Sequence, residues 1–253
     1  MGRLAGVDGC PGGWICIVHD PDTSEFFIGL FRTAAALLAH DSKISEMAID
    51  MPIGLVDTGR RECDELARNM LGFRHVCVSN APIRPALYAP SRLAASAITE
   101  NAAGRGVGSN EWALYPKIIN LDVVITPAHQ EWCFEIHPEV CFCAWNNGVA
   151  IQHAKASEEG RRERELLIDT AWPGVRQALL VQLQQQGHNR QHVALDDVND
   201  AFAAYGRLPA KLLATRRGFR AHLPSTREGC GWKCGIDWFR SNACNTAELS
   251  QSG

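Results

Sequence analysis

The chain has 253 residues, of which 46% are hydrophobic and 21% are charged, and its formal net charge is −3. This composition supports a large apolar core and excludes a globally disordered protein. The net charge excludes the strong positive field that is typical of proteins that coat long stretches of nucleic acid non-specifically.

Three β-rich runs open the chain, at residues 3–7, 14–19 and 25–31. Turn residues separate these runs, which predicts a meander of three antiparallel strands. Thr33 is placed to cap a helix over residues 34–39, and residues 46–49 are typical of a buried strand that ends before Pro52. A helix between the third and fourth strands forms a crossover, which would lay the fourth strand parallel to the first.

Further along the chain, helical spacing of apolar residues occurs at 60–72, 91–103, 158–168 and 175–186. The proline-rich stretch 76–90 indicates a long ordered loop, and residues 131–136 indicate another strand. Residues 196–205 begin with acidic side chains and continue with small ones. That pattern favours a helix that packs closely on a sheet.

We expect one domain over residues 1–240, with a helical and loop insertion at about 55–130 and a disordered polar tail at 241–253.

Asp8 interrupts the first hydrophobic stretch, which argues against a signal peptide. No uninterrupted run of about 18 apolar residues indicates a membrane span. The ten cysteines are scattered, and buried reduced thiols explain most of them. We therefore expect a cytoplasmic protein without a membrane partner.

Carboxylates occur at the ends of three predicted elements. Asp8 follows the first strand, Asp50 follows the fourth, and Asp196, Asp197 and Asp200 begin the late helix. If the first and fourth strands are neighbours, Asp8 and Asp50 approach each other, and one helix face can present Asp197 and Asp200. Buried like charges repel unless a cation lies between them, and hard divalent ions prefer oxygen ligands. The pattern predicts Mg²⁺ or Mn²⁺ held by Asp8, Asp50 and Asp200.

Each of these aspartates also has a structural interpretation. Asp196 fits a helix N-cap better than a metal ligand, because aspartate satisfies free backbone N–H groups there. Asp50 precedes Met-Pro and could anchor the turn, and Asp8 before Gly9 could belong to turn chemistry alone. The joint arrangement of the aspartates favours a functional site.

A second polar cluster lies in the segment EIHPEV. Glu135, His137 and Glu139 alternate, so an extended backbone would point all three to one side. This arrangement favours metal or substrate contact, with a solvated strand end as the alternative. Glu135 is the best candidate because it follows an apolar run.

Several cations lie near the turn-rich segments, where they could bind phosphate or carboxylate groups: Arg60, Arg61, Arg68, Arg84 and Lys117. Most surface arginines have no such role. For substrate binding, the candidates are Arg61, Arg84, Lys117 and His137.

Several of these motifs occur together in one known family. They are GVDGCPGGW at 6–14, AIDMPIGL at 48–55, RECDELAR at 61–68, EIHPEV at 135–140 and DDVNDA at 196–201. Lys155, Gly160 and Arg164 extend the likeness, which runs from the N-terminus to about Trp238. The chain thereby resembles family 429 among the domains of unknown function, which is described as predicted RNase H-like nucleases.

The resemblance implies an α/β fold of the RNase H-like type. Its mixed five-stranded sheet would have three antiparallel strands followed by parallel strands, with helices on both faces. The resemblance assigns the acidic site to five carboxylates: Asp8, Asp50, Glu135, Asp197 and Asp200. Two positions depart from the family pattern, with Ser79 where phenylalanine is expected and Asn120 where glutamate is expected.

Three classes of function follow. The leading hypothesis is a nuclease in which Asp8, Asp50 and Asp200 hold a pair of divalent ions about 3.5–4 Å apart. Asp197 or Glu135 would complete the shell of metal ligands. Water bound to the metal would then attack the phosphodiester. The second is an ATP-dependent phosphotransferase whose glycine turn at 9–13 reaches the phosphates, although hairpin turns need glycine anyway. The third is a non-catalytic module that binds nucleic acid or regulates another protein. The expected partner is nucleic acid, either DNA or RNA.

Overall fold

The computed structural model describes residues 2–216, with side chains as far as Gly206. Five strands form one sheet: β1 Arg3–Cys10, β2 Gly13–Asp20, β3 Glu25–Phe31, β4 Ile44–Asp50 and β5 Cys133–Glu135. Their order across the sheet is β3-β2-β1-β4-β5. Strands β1, β2 and β3 pair antiparallel, whereas β4 is parallel to β1 and β5 is parallel to β4. The predicted mixed five-stranded sheet is confirmed, and it is consistent with an RNase H-like fold.

The turn between β1 and β2 requires glycine at one position. Gly13 has a φ of +135°, a backbone conformation that L side chains rarely adopt. A Cβ there would also lie 2.0 Å from the carbonyl oxygen of Phe31. The geometry of the antiparallel meander therefore accounts for the glycine at this turn.

The helices in residues 2–216 are α1 Ala34–Leu38, α2 Glu62–Leu71, α3 Arg84–Leu87, α4 Arg92–Ala103, α5 Ser109–Asp122, α6 Pro138–Trp145, α7 Glu158–Ala171, α8 Val175–Gln185 and α9 Leu195–Arg216. Two 3₁₀ segments, Gly72–Cys77 and Pro127–Glu131, accompany them. Thr33 caps α1, because its hydroxyl oxygen accepts a hydrogen bond from the backbone N–H of Ala36 at 3.1 Å. The predicted N-cap is confirmed.

Helices cover both faces of the sheet, as predicted. Alternate strand residues such as Leu4, Ile15 and Ala48 pack with buried residues of α6, α7, α8 and α9. Their neighbours along the strands, such as Ala5 and Met47, pack with α1, α3, α4 and α5 on the other face. The sheet is therefore buried on both sides, and a polar group at a strand end lies next to a packed helix.

Helix α9 packs directly on β1 because Gly6 has no side chain. A Cβ at Gly6 would lie 2.2 Å from both the carbonyl oxygen of Ala201 and the backbone nitrogen of Tyr205. Ala201 and Ala204 are fully buried at this contact. The predicted close packing of a small-residue helix on the sheet is confirmed.

Three helices were not predicted, and one strand is shorter than predicted. Helix α3 lies within residues 76–90, for which an ordered loop was predicted. Helix α5 contains Pro116 in its interior, which interrupts a helical sequence pattern. Helix α6 begins at Pro138, a favourable first helical residue, and β5 ends at Glu135. The prediction that Glu135, His137 and Glu139 share one side of an extended segment is therefore wrong, since Glu139 lies in the first turn of α6.

Helices α2 to α5 lie between β4 and β5, where the insertion was predicted. The bounds of the domain stay a prediction, and the tail at 241–253 is outside the described residues. The seven cysteines within residues 2–216 form no disulfide bonds, and five of them are buried. Over the same range, no helix is both long enough and apolar enough to cross a membrane.

Replacing Gly6 by alanine should lower the free energy of unfolding by about 1–3 kcal/mol or more, since the added methyl overlaps the backbone of α9. Urea denaturation would measure the change. Gly106→Ala is the matched control, because its Cβ would meet nothing closer than Ser96 Oγ at 3.4 Å. Equal stability of the two variants would contradict the close packing of α9 on β1.

Candidate functional site

Asp8 and Asp50 lie side by side at the ends of neighbouring parallel strands. The register of β1 and β4 pairs Asp8 with Asp50 directly, so their side chains leave the same face of the sheet. Asp8 Oδ1 also accepts a hydrogen bond from the backbone N–H of Gly9 at 2.6 Å. Turn chemistry therefore uses one oxygen of Asp8, and the predicted approach of the two aspartates is present.

Asp200 completes this group from the helix above. The contact of α9 with Gly6 places the first turns of the helix over the end of β1, on the face that Asp8 and Asp50 share. One oxygen each of Asp8, Asp50 and Asp200 lies within 4.8 Å of the other two. We call these three residues the aspartate group; Asp8 and Asp200 are buried, and Asp50 is partly buried.

Burial makes the ionised state of the aspartate group unfavourable. It raises the pKa of Asp8 well above the ordinary value, and the charges of Asp50 and Asp200 raise it further. Burial and Asp200 likewise raise the pKa of Asp50. Burial raises the pKa of Asp200 to about 6, although Lys155 opposes that rise. Asp200 Oδ1 is buried without a hydrogen-bond partner. The positive charge of Lys155 therefore does not offset the burial and mutual repulsion of the group, and Asp200 Oδ1 has room for a hydrogen-bond donor or a metal ion.

Of the two remaining acidic residues of α9, Asp197 bonds the backbone at the start of the helix. Asp197 Oδ2 accepts a hydrogen bond from the backbone N–H of Ala194 at 2.8 Å. Burial raises the pKa of Asp197 to about 6, and this hydrogen bond opposes the rise. The N-cap prediction for Asp196 is wrong, because α9 begins at Leu195 and Asp197 is the side chain that bonds the free backbone. Asp197 lies near enough to add to the negative charge around Asp8.

Lys155 also belongs to the site, although sequence reasoning assigned it no role there. Its Nζ donates a hydrogen bond to Asp200 Oδ2 at 3.1 Å and lies 3.5 Å from Asp196 Oδ2. Burial lowers the pKa of Lys155, but the charges of Asp200, Asp196 and Asp8 outweigh it and raise that pKa above its usual value. Lys155 lies in a loop without helical or strand periodicity, so its role could have been inferred from the likeness to the family and not from periodicity.

Glu135 lies on the sheet face opposite to the aspartate group, in a buried ion-pair network, and its charge still raises the pKa of Asp50. Its neighbour Phe134 packs on the α9 side of the sheet, whereas Cys133 and, by alternation, Glu135 face the other side. Arg61 donates to both carboxylate oxygens of Glu135, to Asp64 and to the carbonyl oxygen of Ile53. All five N–H donors of this guanidinium are engaged. Glu135 and Arg61 thus have a structural role, and their predicted site roles stay predictions.

The other predicted substrate-binding residues have separate partners. The guanidinium of Arg84 donates to both carboxylate oxygens of Asp122 at 2.9 Å. His137 is largely buried, and burial lowers its pKa. Lys117 Nζ donates to the carbonyl oxygens of Cys10 and Gly13 at 3.0 and 2.6 Å. The charge of Lys117 also acts on Asp197 and lowers the pKa of that carboxyl.

The departure at Asn120 leaves the aspartate group intact. Asn120 Oδ1 accepts hydrogen bonds from Trp14 Nε1 at 2.9 Å and from the backbone N–H of Ala34 at 2.7 Å. Trp14 packs on the sheet face opposite to the one that carries the aspartates. Asn120 therefore joins α5 to α1 and β2. The other departure, Ser79, is exposed.

The comparisons with known proteins identify the family. The family described as "Protein of unknown function (DUF429)" matches residues 6–225, which is most of the chain. The chain belongs to the DUF429 family. No curated protein and no solved structure matches the chain. The region matched to DUF429 includes Asp8, Asp50, Lys155 and Asp200, and the family description names no activity.

Without divalent ions, the protein should lose stability as the pH rises. A carboxyl whose pKa is raised on folding stabilises the fold below its unfolded pKa, and this contribution is lost as the pH rises through the folded pKa. For Asp200 that window runs from 3.8 to about 6. Asp8→Asn removes one charge and keeps an oxygen for the Gly9 N–H, so in EDTA at pH 8 it should be more stable than the wild type by about 1 kcal/mol or more.

Urea denaturation in EDTA at pH 5 and pH 8 checks this expectation, with the exposed Asp57→Asn as the control. The advantage of Asp8→Asn over the wild type should be larger at pH 8 than at pH 5, and Asp57→Asn should show no such change. An Asp8→Asn protein that is less stable than the wild type at pH 8 would contradict the electrostatic description of the aspartate group.

Proposed function

We propose that this DUF429 protein is a nuclease that depends on a divalent metal ion and hydrolyses phosphodiester bonds. One observation carries the proposal: three elements distant in sequence bring Asp8, Asp50 and Asp200 together in a mostly buried group. A fold has no structural use for three mutually repelling buried carboxylates, because their pKa values rise and the metal-free protein is destabilised. Such groups are typical of functional sites.

The residues present fit a hard divalent ion. All the donors of the group are carboxylate oxygens, which Mg²⁺ and Mn²⁺ prefer, and Asp200 Oδ1 is buried without a partner. When bound, such an ion lowers the pKa of water and neutralises negative charge at a phosphoryl oxygen. Asp8 and Asp50 would hold it from the sheet, and Asp200 would hold it from α9.

The surrounding residues fix the geometry of these ligands. The Gly9 N–H bond restrains Asp8, and the Lys155 bond restrains Asp200. Lys117 fixes the turn after β1 by donating to two carbonyl oxygens, and the third N–H of its ammonium group is left for contact with a phosphate near the site. Preorganised ligands of this kind lower the free-energy cost of assembling a catalytic site.

The phosphotransferase alternative has less support. A phosphate-binding turn needs free backbone N–H groups. Here the N–H of Gly9 donates to Asp8 Oδ1, and the N–H of Gly12 donates to the carbonyl oxygen of His192 at 2.7 Å. These two donors of the glycine turn are therefore occupied, which favours hydrolysis at the aspartate group over nucleotide binding at the turn.

Nucleic acid is the proposed substrate because of the motif likeness to predicted RNase H-like nucleases. The net charge of −3 favours a short or structured strand over long duplex, because broad duplex binding requires many cations. The strand could be DNA or RNA. The competing function is a module that binds nucleic acid without cleaving it.

Cleavage of labelled single-stranded, duplex and branched DNA and RNA would test the proposal. The wild type should cleave at least one substrate with Mn²⁺ and none with EDTA. Asp8→Asn and Asp50→Asn should reduce the rate by at least about 100-fold, because loss of an outer-shell partner alone costs 10–100-fold. The exposed Asp57→Asn is the matched control and should cleave like the wild type.

Cleavage that persists in EDTA, or that Asp8→Asn leaves unchanged, would refute a metal-dependent reaction at the aspartate group. Binding of a strand without turnover, by folded protein in Mn²⁺, would instead identify a nucleic-acid-binding module.

A further inference from the structure

The two oxygens of Asp200 have different environments. Oδ2 accepts the hydrogen bond from Lys155 Nζ at 3.1 Å, whereas Oδ1 is buried without a partner. The side chain of Asp200 is only 4% exposed, so water cannot easily serve the free oxygen. Lys155 thus occupies one side of this carboxylate, and the other side is left for a metal ion.

The segment that carries Lys155 is fixed against α7. A Cβ on Gly160 would lie 2.0 Å from the carbonyl oxygen of Ala154, so the chain just before Lys155 contacts the helix backbone. Ser157 caps α7 by accepting from the Gly160 N–H, and its hydroxyl donates to that same carbonyl oxygen at 2.9 Å. The position of Lys155 is therefore set by backbone packing as well as by attraction to Asp200.

A buried arginine strengthens this attachment. Arg164 is 1% exposed, and its guanidinium donates to Glu139 Oε1 and to the carbonyl oxygen of Gly160 at 2.6 Å. Helix α6, which carries Glu139, is thereby tied to the start of α7. Lys155 is held at the aspartate group by contacts that do not include the aspartates.

Lys155 already supplies positive charge on one side of the aspartate group. Its Nζ lies 3.1 Å from Asp200 Oδ2 and 3.5 Å from Asp196 Oδ2, so the ammonium group serves the carboxylate oxygens on this side. A second ion would lie about 3.5–4 Å from the first, as in two-metal sites, and would repel both that ion and the ammonium group.

We infer that Lys155 takes the place of a second metal ion, so that the aspartate group binds one divalent ion instead of the pair expected from the sequence. This inference rests on the proposed metal site. Lys155 would act as a positioning residue that holds Asp200 Oδ2 and leaves Oδ1 for the ion.

Titration with Mn²⁺, followed by the electron paramagnetic resonance signal of the free ion, tests this directly on the full chain without substrate. The wild type should bind one ion per chain. Lys155→Met removes the charge at a half-exposed side chain, so the fold should persist, and this variant should bind two ions. Lys155→Arg keeps the charge and should bind one. Lys43→Met removes an exposed charge near the opposite end of β4 and should also bind one.

Two bound ions in the wild type, or one ion in Lys155→Met, would overturn the one-ion inference and leave the metal-dependent function standing. No bound ion in any variant would overturn the proposed metal site itself. Circular dichroism of each variant shows whether the fold is intact.

Discussion

The contact between α9 and β1 at Gly6 determines the rest of the site. Because Gly6 has no side chain, the helix backbone approaches the strand closely, and Asp200 comes to lie beside the two aspartates at the ends of β1 and β4. Strand register alone would pair Asp8 with Asp50 and leave them partly open to water. The helix supplies the third carboxylate and the burial, and it thereby converts a strand-end pair into a site with strongly raised pKa values.

Two groups of buried charges lie near the ends of β4 and β5, and they differ in how completely their polar atoms are hydrogen-bonded. Arg61 donates to Glu135 and Asp64 with four of its five N–H groups and to the carbonyl oxygen of Ile53 with the fifth, so all of its donors are used, and it joins α2 to β5. The aspartate group receives one ammonium group from Lys155 and keeps an unsatisfied oxygen on Asp200. Incomplete neutralisation destabilises the metal-free fold, which is the usual cost of a site that is kept ready for a ligand.

The fold and the central aspartates could be predicted because their signals are local. Turn residues, alternation and one crossover place β1 beside β4, and this order alone makes Asp8 and Asp50 neighbours. The positions of Glu135 and Lys155 depend on tertiary contacts that no periodicity encodes. Glu135 lies on the other face because the register of β4 and β5 pairs it with Ile49, the residue before Asp50. Lys155 reaches Asp200 from an irregular loop held by Gly160 and Arg164. Helix α5 was not predicted because Pro116 interrupts the helical pattern of its sequence.

We propose that Asp8, Asp50 and Asp200 together hold a divalent metal ion. The most direct measurement is a crystal structure of the protein with Mn²⁺, in which anomalous scattering at the manganese edge locates the ion independently of any assumed site. We expect a peak about 2.0–2.2 Å from one oxygen of each of the three aspartates, the distance typical of a small hard cation. A well-ordered aspartate group without such a peak, in crystals saturated with Mn²⁺, would contradict it.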